Sequence, residues 1–136
     1  MSIKVWDCLD EYTAEREDIL AAVDRVFSSG RLILGSSVKA FETEFSTYCG
    51  THFGIGVDNA TNGIFLALKA LGIGAGDEVI TVSNTAVPTV SAIVQAGATP
   101  RFVDVSVETA LMDVSLIEDA ITEQTRCIIP VHLYGQ

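Results

Sequence analysis

From residue 53 onward, short apolar runs alternate with longer segments of helical character, and this alternation restricts the fold more than any other feature. The runs are Phe53 to Val57, Glu78 to Val82, Arg101 to Val105 and Cys127 to Leu133. Between them lie Ile64 to Leu71 closed by Gly72, a segment with Pro88 in its first turn and Gly97 after its end, and a helix over Val114 to Ile121 capped by Asp113. Strands separated by helices pair in parallel, because the crossover returns each strand to the same starting edge. Residues 64–71 and 86–98 are apolar nearly all round, as expected of helices that cover such a sheet. The fold class is α/β, a mainly parallel sheet with helices on both faces.

Ahead of this pattern the spacing changes. Ile19, Leu20, Val23, Val26 and Phe27 form one stripe over 14–28, opposite Glu15, Arg16, Asp18, Asp24 and Arg25, which predicts an amphipathic helix. Gly30 to Gly35 reads as a loop, and Ser36 or Ser37 is placed to cap a second helix carrying Val38, Phe41, Phe45 and Tyr48 and ending near Gly50. The predicted division is a helical segment over 1–50 and an α/β domain over 51–136. The ending Tyr134-Gly135-Gln136, directly after a strand, reads as a domain interrupted.

Eight Lys and Arg against eighteen Asp and Glu give a net charge of −10, so there is no basic face for nucleic acid or an anionic membrane. The longest uncharged stretch, Val79 to Pro100, contains eight Ser, Thr, Asn or Gln and two prolines, which argues against a membrane span. The acidic start lacks the apolar segment of a secretory signal, and the expected location is the cytoplasm. Cys8, Cys49 and Cys127 share no metal-ligand spacing and are expected to be reduced and mostly buried.

A parallel sheet gathers its ligand loops at the carboxyl ends of its strands. Here these are 58–63, 83–88 and 132–136. Asp58-Asn59-Ala60-Thr61-Asn62-Gly63 leads into a helix, where small residues let backbone N–H groups and the Thr61 hydroxyl approach an anion. The same residues also suit a plain helix cap, with Asn59 or Thr61 at the N-cap position. Ser83-Asn84-Thr85 offers three hydrogen-bonding side chains under the same two readings. His132 has no Ser or Cys nucleophile assigned to it, and Asp104, Asp113, Glu118 and Asp119 show no spacing of an acid/base pair or a metal site. The residues alone give an α/β domain with an anion site in outline and no complete catalytic set.

Taken in order, several segments resemble the DegT/DnrJ/EryC1/StrS family of sugar aminotransferases. They are Gly30-x4-Gly35, Phe41-Glu42-x-x-Phe45, Asn59-Ala60-Thr61-Asn62-Gly63, Gly76-Asp77-Glu78-Val79-Ile80, Gly97-Ala98-Thr99-Pro100-Arg101-Phe102-Val103-Asp104 and Ile129-Pro130-Val131-His132-Leu133-Tyr134-Gly135-Gln136. The resemblance implies an N-terminal helical arm and the first half of an aspartate-aminotransferase-like (type I) large domain, with pyridoxal 5′-phosphate as cofactor. Ala60, Thr61 and the backbone of Asn62 would hold the cofactor phosphate, Ala60 standing where the family usually has Gly. Ala86 aligns where members often place an aromatic ring, so the resemblance implies a flat contact from Ala86 or a neighbour without stacking. Arg31, Leu32 and Asn84 are the implied substrate contacts.

The wording of 57–63 and 82–89 is similar to the branch that aminates nucleotide-linked keto-deoxysugars at C3, with a dTDP-3-keto-6-deoxyhexose as the substrate and Glu or Gln as the amino donor. A homodimer is implied by the resemblance alone. In the family the cofactor-bonding Lys and the Asp that pairs with the pyridine nitrogen lie beyond the position of Gln136, and Lys4, Lys39 and Lys69 do not match. The chain alone is thus expected to be inactive. The alternatives are a keto-sugar dehydratase of the same fold and a non-catalytic binding chain.

Overall fold

The structure, a computed structural model, describes residues 7–136; Lys4 lies outside them. The chain divides into two compact units, one up to Gly56 and one from Val57 to Gln136.

In the first unit, α1 (Leu9–Ser28) begins ahead of its apolar stripe, where the Asp7 carboxylate accepts the Leu9 N–H at 3.1 Å. The second helix, α2 (Ser36–Cys49), follows Gly35 at its N-cap with no side-chain cap, so neither serine plays the expected role. The Phe41, Phe45 and Tyr48 rings stack along α2 with centroids 5.5 and 6.4 Å apart. Ser46 is the one buried residue among those described in this unit. Cys8 and Cys49 are accordingly exposed, and with Cys127 only half-buried, the expectation of mostly buried cysteines is corrected.

The predicted strand over Phe53–Val57 does not form. A strand needs a ladder partner, and here the Gly56 N–H is taken instead by the Glu42 carboxylate at 2.7 Å. The backbone passes so close to α2 that a Cβ on Gly54 would lie 2.6 Å from the Glu42 carbonyl oxygen.

The second unit is organised on β1 (Glu78–Val82), the centre of a three-stranded parallel sheet of order β2-β1-β3, with β2 at Thr99–Val103 and β3 at Thr125–Ile128. Alternation along β1 sends Val79 and Ile80 to opposite faces. Val79 packs with Leu68 and Ile73, with Ile93 and Ala96, and with Ala98; Ile80 and Val82 pack with Val103, Met112 and Ala120. The first cluster is built from α3 (Ala60–Ala70) and α4 (Val87–Ala96), and the second includes α5 (Ile117–Ala120). Helices therefore cover both faces, as the sequence predicts.

Several boundaries move. The first four residues of α3 were expected to be turn. The strand expected at 101–105 runs over Thr99–Val103, and Val105 pairs in an isolated antiparallel bridge with Met112. The helix expected over 114–121 is a 3-10 turn, Val114–Leu116, running into the four-residue α5. The last strand stops at Ile128, short of Leu133.

The outer edge of β2 is blunted by chemistry. The Thr99 N–H bonds inward to the Asp77 carbonyl, so alternation turns the Pro100 nitrogen outward, where its missing donor denies a further strand one ladder bond. The edge of β3 carries no such proline.

Placing Ala at position 54 should force the 53–56 segment off α2 and cost about 1–3 kcal/mol in urea unfolding. Ala110 has φ +56 in the turn where its N–H bonds to the Ser106 carbonyl at 2.8 Å; Ala110→Gly should relieve this and stabilise by about 0.5–1 kcal/mol. Burial raises the Cys127 thiol above its ordinary value, with a smaller opposing effect from its bond to the Ile128 carbonyl. Less thiolate is then present at a given pH, so iodoacetamide should label exposed Cys49 before Cys127 in a timed mass-spectrometric assay.

Candidate functional site

The two covering helices fix where a site can be. The Lys69 ammonium, in the last turn of α3, donates to the Ala96 carbonyl at the end of α4 at 3.4 Å. With their carboxyl ends together and lengths of 11 and 10 residues, packed side by side, their amino ends also lie together. Both run against the strands, so this shared amino end is at the carboxyl edge of the sheet. The loop 83–86 leaves β1 there, and residues 129–136 leave β3 at the same edge.

At the start of α3, Asn59 is the N-cap, and its Oδ1 accepts the Asn62 N–H at 2.9 Å. The Asn62 Nδ2 donates to both oxygens of the Asp58 carboxylate at 2.8 and 2.9 Å, and the Asn59 Nδ2 donates to the same group at 3.0 Å. The Asn62 main-chain N–H, one of the expected phosphate donors, is thus engaged in capping. The Ala60 and Thr61 N–H groups, first in the helix, have no intrahelical partner. Thr61 is half-buried, and its hydroxyl forms no hydrogen bond among the described residues. Two N–H groups and a hydroxyl at a helix start fit an anion such as a phosphate, and the Ala60 methyl faces solvent.

In the second loop, Ala86 is the exposed N-cap of α4, with φ −70 and ψ 146 and no side-chain cap bond. The Thr85 and Thr89 hydroxyls lie 2.9 Å apart. Thr89 is 7% exposed, so Thr85 satisfies a buried polar group and ties the loop to α4. Half-buried Asn84 makes no side-chain hydrogen bond among the described residues. In the third loop, His132 Nδ1 lies 2.8 Å from the Gln136 carbonyl oxygen. Arg31 and Leu32 lie in the other unit, exposed in the 30–35 loop, where the Arg31 N–H donates to the Ser29 hydroxyl at 3.2 Å.

The cations of the second unit are elsewhere. Lys69 is at the carboxyl end of α3, Arg101 reaches Glu78 at 3.7 Å and Arg126 reaches Asp77 at 3.6 Å. These pairs sit at the starting edge of the sheet, where Thr122 also donates to Glu78 at 2.7 Å. Residues 57–136 contain no other Lys or Arg, so in this unit the ligand edge takes its positive potential from helix N–H groups. No cluster of three or more His, Cys, Asp or Glu among the described residues is placed to hold a metal ion. None of their helices is long and apolar enough to cross a membrane.

A sequence profile of the DegT/DnrJ/EryC1/StrS aminotransferase family matches residues 13–136. The chain belongs to this family. It is 57% identical over 136 residues to a dTDP-3-amino-3,4,6-trideoxy-alpha-D-glucose transaminase of Micromonospora megalomicea subsp. nigra, covering 100% of this chain and 36% of that protein. Among solved structures it superposes on S. venezuelae DesV in complex with a ketimine intermediate, with a TM-score of 0.91 and 42% identity over 96% of this chain and 35% of that one. It also matches NtdA from Bacillus subtilis with bound cofactor PMP, with a TM-score of 0.89 and 36% identity over 100% of this chain and 32% of that one. The chain spans about a third of the length of these relatives.

Sequence reading gave no role of its own to Asp58, which lies just ahead of the α3 N-cap and whose bonds to Asn59 and Asn62 depend on how that cap folds. It also gave no role to Glu42, which lay in a quoted motif and now holds Gly56. Asp113 caps as expected: Ser115 donates its hydroxyl at 2.6 Å and its N–H at 3.0 Å, and these bonds, the hydroxyl first, lower the Asp113 pKa from its ordinary value. The charged form is favoured in the folded chain, so this contribution is present above the unfolded pKa and is lost as pH falls through the folded one. Replacing Asn59 by Ala should remove the α3 cap and cost about 1 kcal/mol in urea unfolding.

Proposed function

We propose that this chain is the N-terminal part of a pyridoxal-phosphate-dependent aminotransferase acting on a nucleotide-linked keto-deoxysugar, a dTDP-3-keto-6-deoxyhexose, with Glu or Gln as amino donor. The observation that carries this reading is the 57% identity, across the whole chain, with a transaminase of a dTDP-linked amino sugar. Residues 51–136 are then the first half of the cofactor-binding large domain. The cofactor supplies the electron sink that lets an amino group pass between carbon atoms.

This chain's residues hold and orient. Thr61, through its hydroxyl and N–H, and the N–H of Ala60 take the cofactor phosphate, while Asn62 shapes their loop. Ala86 offers a flat apolar contact beside the cofactor ring, and Thr85, held by Thr89, keeps that contact in place. Asn84 contacts the sugar nucleotide; for Arg31 and Leu32 a substrate contact rests on the family resemblance alone. The cofactor-bonding Lys and the Asp for the pyridine nitrogen come from sequence after Gln136. The assembly is a cytoplasmic homodimer.

The test is turnover by the full-length protein, supplied with pyridoxal phosphate, a dTDP-3-keto-6-deoxyhexose and Glu or Gln. The expected result is a sugar product that gains nitrogen, with a 2-oxo acid released in equal amount. A product that loses a hydroxyl and gains no nitrogen would make the enzyme a dehydratase, and binding without turnover of any keto sugar would leave a non-catalytic protein. Residues 1–136 expressed alone should give no amino sugar.

A further inference from the structure

The entry to α3 contains a carboxylate that the proposed chemistry does not use. Asp58 is an exposed acidic residue, two positions before the first of the residues assigned to a phosphate. On charge alone it is out of place. Its hydrogen bonds supply a reason for its presence.

An ionised carboxylate only accepts, so every amide facing it must present its NH2 group. Asn59 turns its Nδ2 to Asp58 at 3.0 Å, and its Oδ1 is thereby left to accept the Asn62 N–H at 2.9 Å. The Asn62 side chain is fixed by two bonds to the same carboxylate, at 2.8 and 2.9 Å. One acceptor-only group thus decides the orientation of both amides and, through Asn59, which helix N–H is consumed by capping. The N–H groups left unpaired are those of Ala60 and Thr61. An amide at position 58 could face its neighbours either way round, and the cap would lose its single orientation.

We propose that Asp58 is a positioning residue for the cofactor phosphate: by clasping Asn59 and Asn62 it holds the first turn of α3 so that the Ala60 and Thr61 N–H groups and the Thr61 hydroxyl converge on one anion. This rests on the reading that the phosphate binds at the start of α3. Orientation then outweighs repulsion, because the carboxylate's charge is spread over three charge-assisted bonds to Asn59 and Asn62.

The experiment measures dissociation constants of the full-length protein for pyridoxamine 5′-phosphate and for phosphate-free pyridoxamine by titration calorimetry. Wild type is compared with Asp58→Ala, Asp58→Asn, Thr61→Val and the Asp58→Ala/Thr61→Val double variant, and amide exchange is followed over 60–63. Thr61→Val and Asp58→Ala are each expected to weaken the phosphorylated ligand by about tenfold, the loss of one bond to a charged group. The double variant should lose less than the product of the two, and pyridoxamine should bind all variants alike. Asn62 amide exchange should quicken in Asp58→Ala, with Asp58→Asn intermediate. Asp58 variants that bind the phosphorylated ligand as tightly as wild type, or more tightly, would show a charge that merely repels and would overturn the proposal. Thr61→Val without effect would instead overturn the phosphate reading beneath it. If Asp58→Ala does not fold, Asp58→Asn carries the same comparison.

Discussion

Burial of β1 on both faces is the constraint on which the second unit depends. Val79, Ile80 and Thr81 are 0% exposed and Val82 is 1% exposed. Each apolar member contributes about 2 kcal/mol relative to exposure. Thr81 would oppose this gain if its hydroxyl were left bare, but it donates to the Ile129 carbonyl at 3.0 Å, across to the chain that continues β3. A strand buried on both faces must have a helix on each side, and the β2-β1-β3 order follows because only a central strand is paired along both edges. The position of the site is a consequence. Once α3 and α4 pack against one face and run back antiparallel to β1, their amino ends are delivered to the edge where the chain leaves the sheet.

That delivery resolves an electrostatic difficulty. A chain of net charge −10 would be a poor host for the proposed ligands, a phosphate and a diphosphate-sugar, if charge were summed over the whole molecule. The field at the site is local, and the screening length is about 8 Å at physiological salt. The three cationic side chains of residues 57–136 are drawn to the opposite edge by Glu78, Asp77 and the end of α4. At the ligand edge the start of α3 supplies N–H groups whose partial charges need no lysine, while α4 supplies fewer, since Pro88 has none and the Thr89 N–H bonds to the Ala86 carbonyl. Salt should matter less here than for a lysine-built site, since these dipoles are fixed in the backbone.

The α/β class, the order of strands and helices from residue 64 and the Asp113 cap were legible because each depends on local periodicity or on residues two or three apart. Phe53–Val57 misled for the opposite reason. Its composition suits a strand, but a strand exists only against a partner, and the contest was settled by Glu42, fourteen residues away. The helix expected to start at Ile64 starts at Ala60 because Asn59 caps it, and small polar residues read equally well as turn and as first helical turn. Cysteine burial failed on composition: the average cysteine is buried, but α1 and α2 bury little within their own unit. In the site, the loop was legible and the distribution of its donors was not, since that depends on which way two amides face.

The two sequence readings of 58–63, phosphate cradle and plain helix cap, had been set against each other as alternatives. The structure bears out the cap, and the cap leaves room for the proposed cradle. A helix start has four N–H groups without intrahelical partners, and a single Asn at the N-cap satisfies only one of them, here at the third helical position. The remaining first and second positions still point along the axis, and an anion placed there meets donors whose spacing the cap has made rigid. Capping is what turns a frayed first turn into a geometry that recurs from molecule to molecule. A loop with Gly in place of Asn59 would keep the free N–H groups and lose the order of the first turn, so on the proposed reading the cap and the phosphate site support one another.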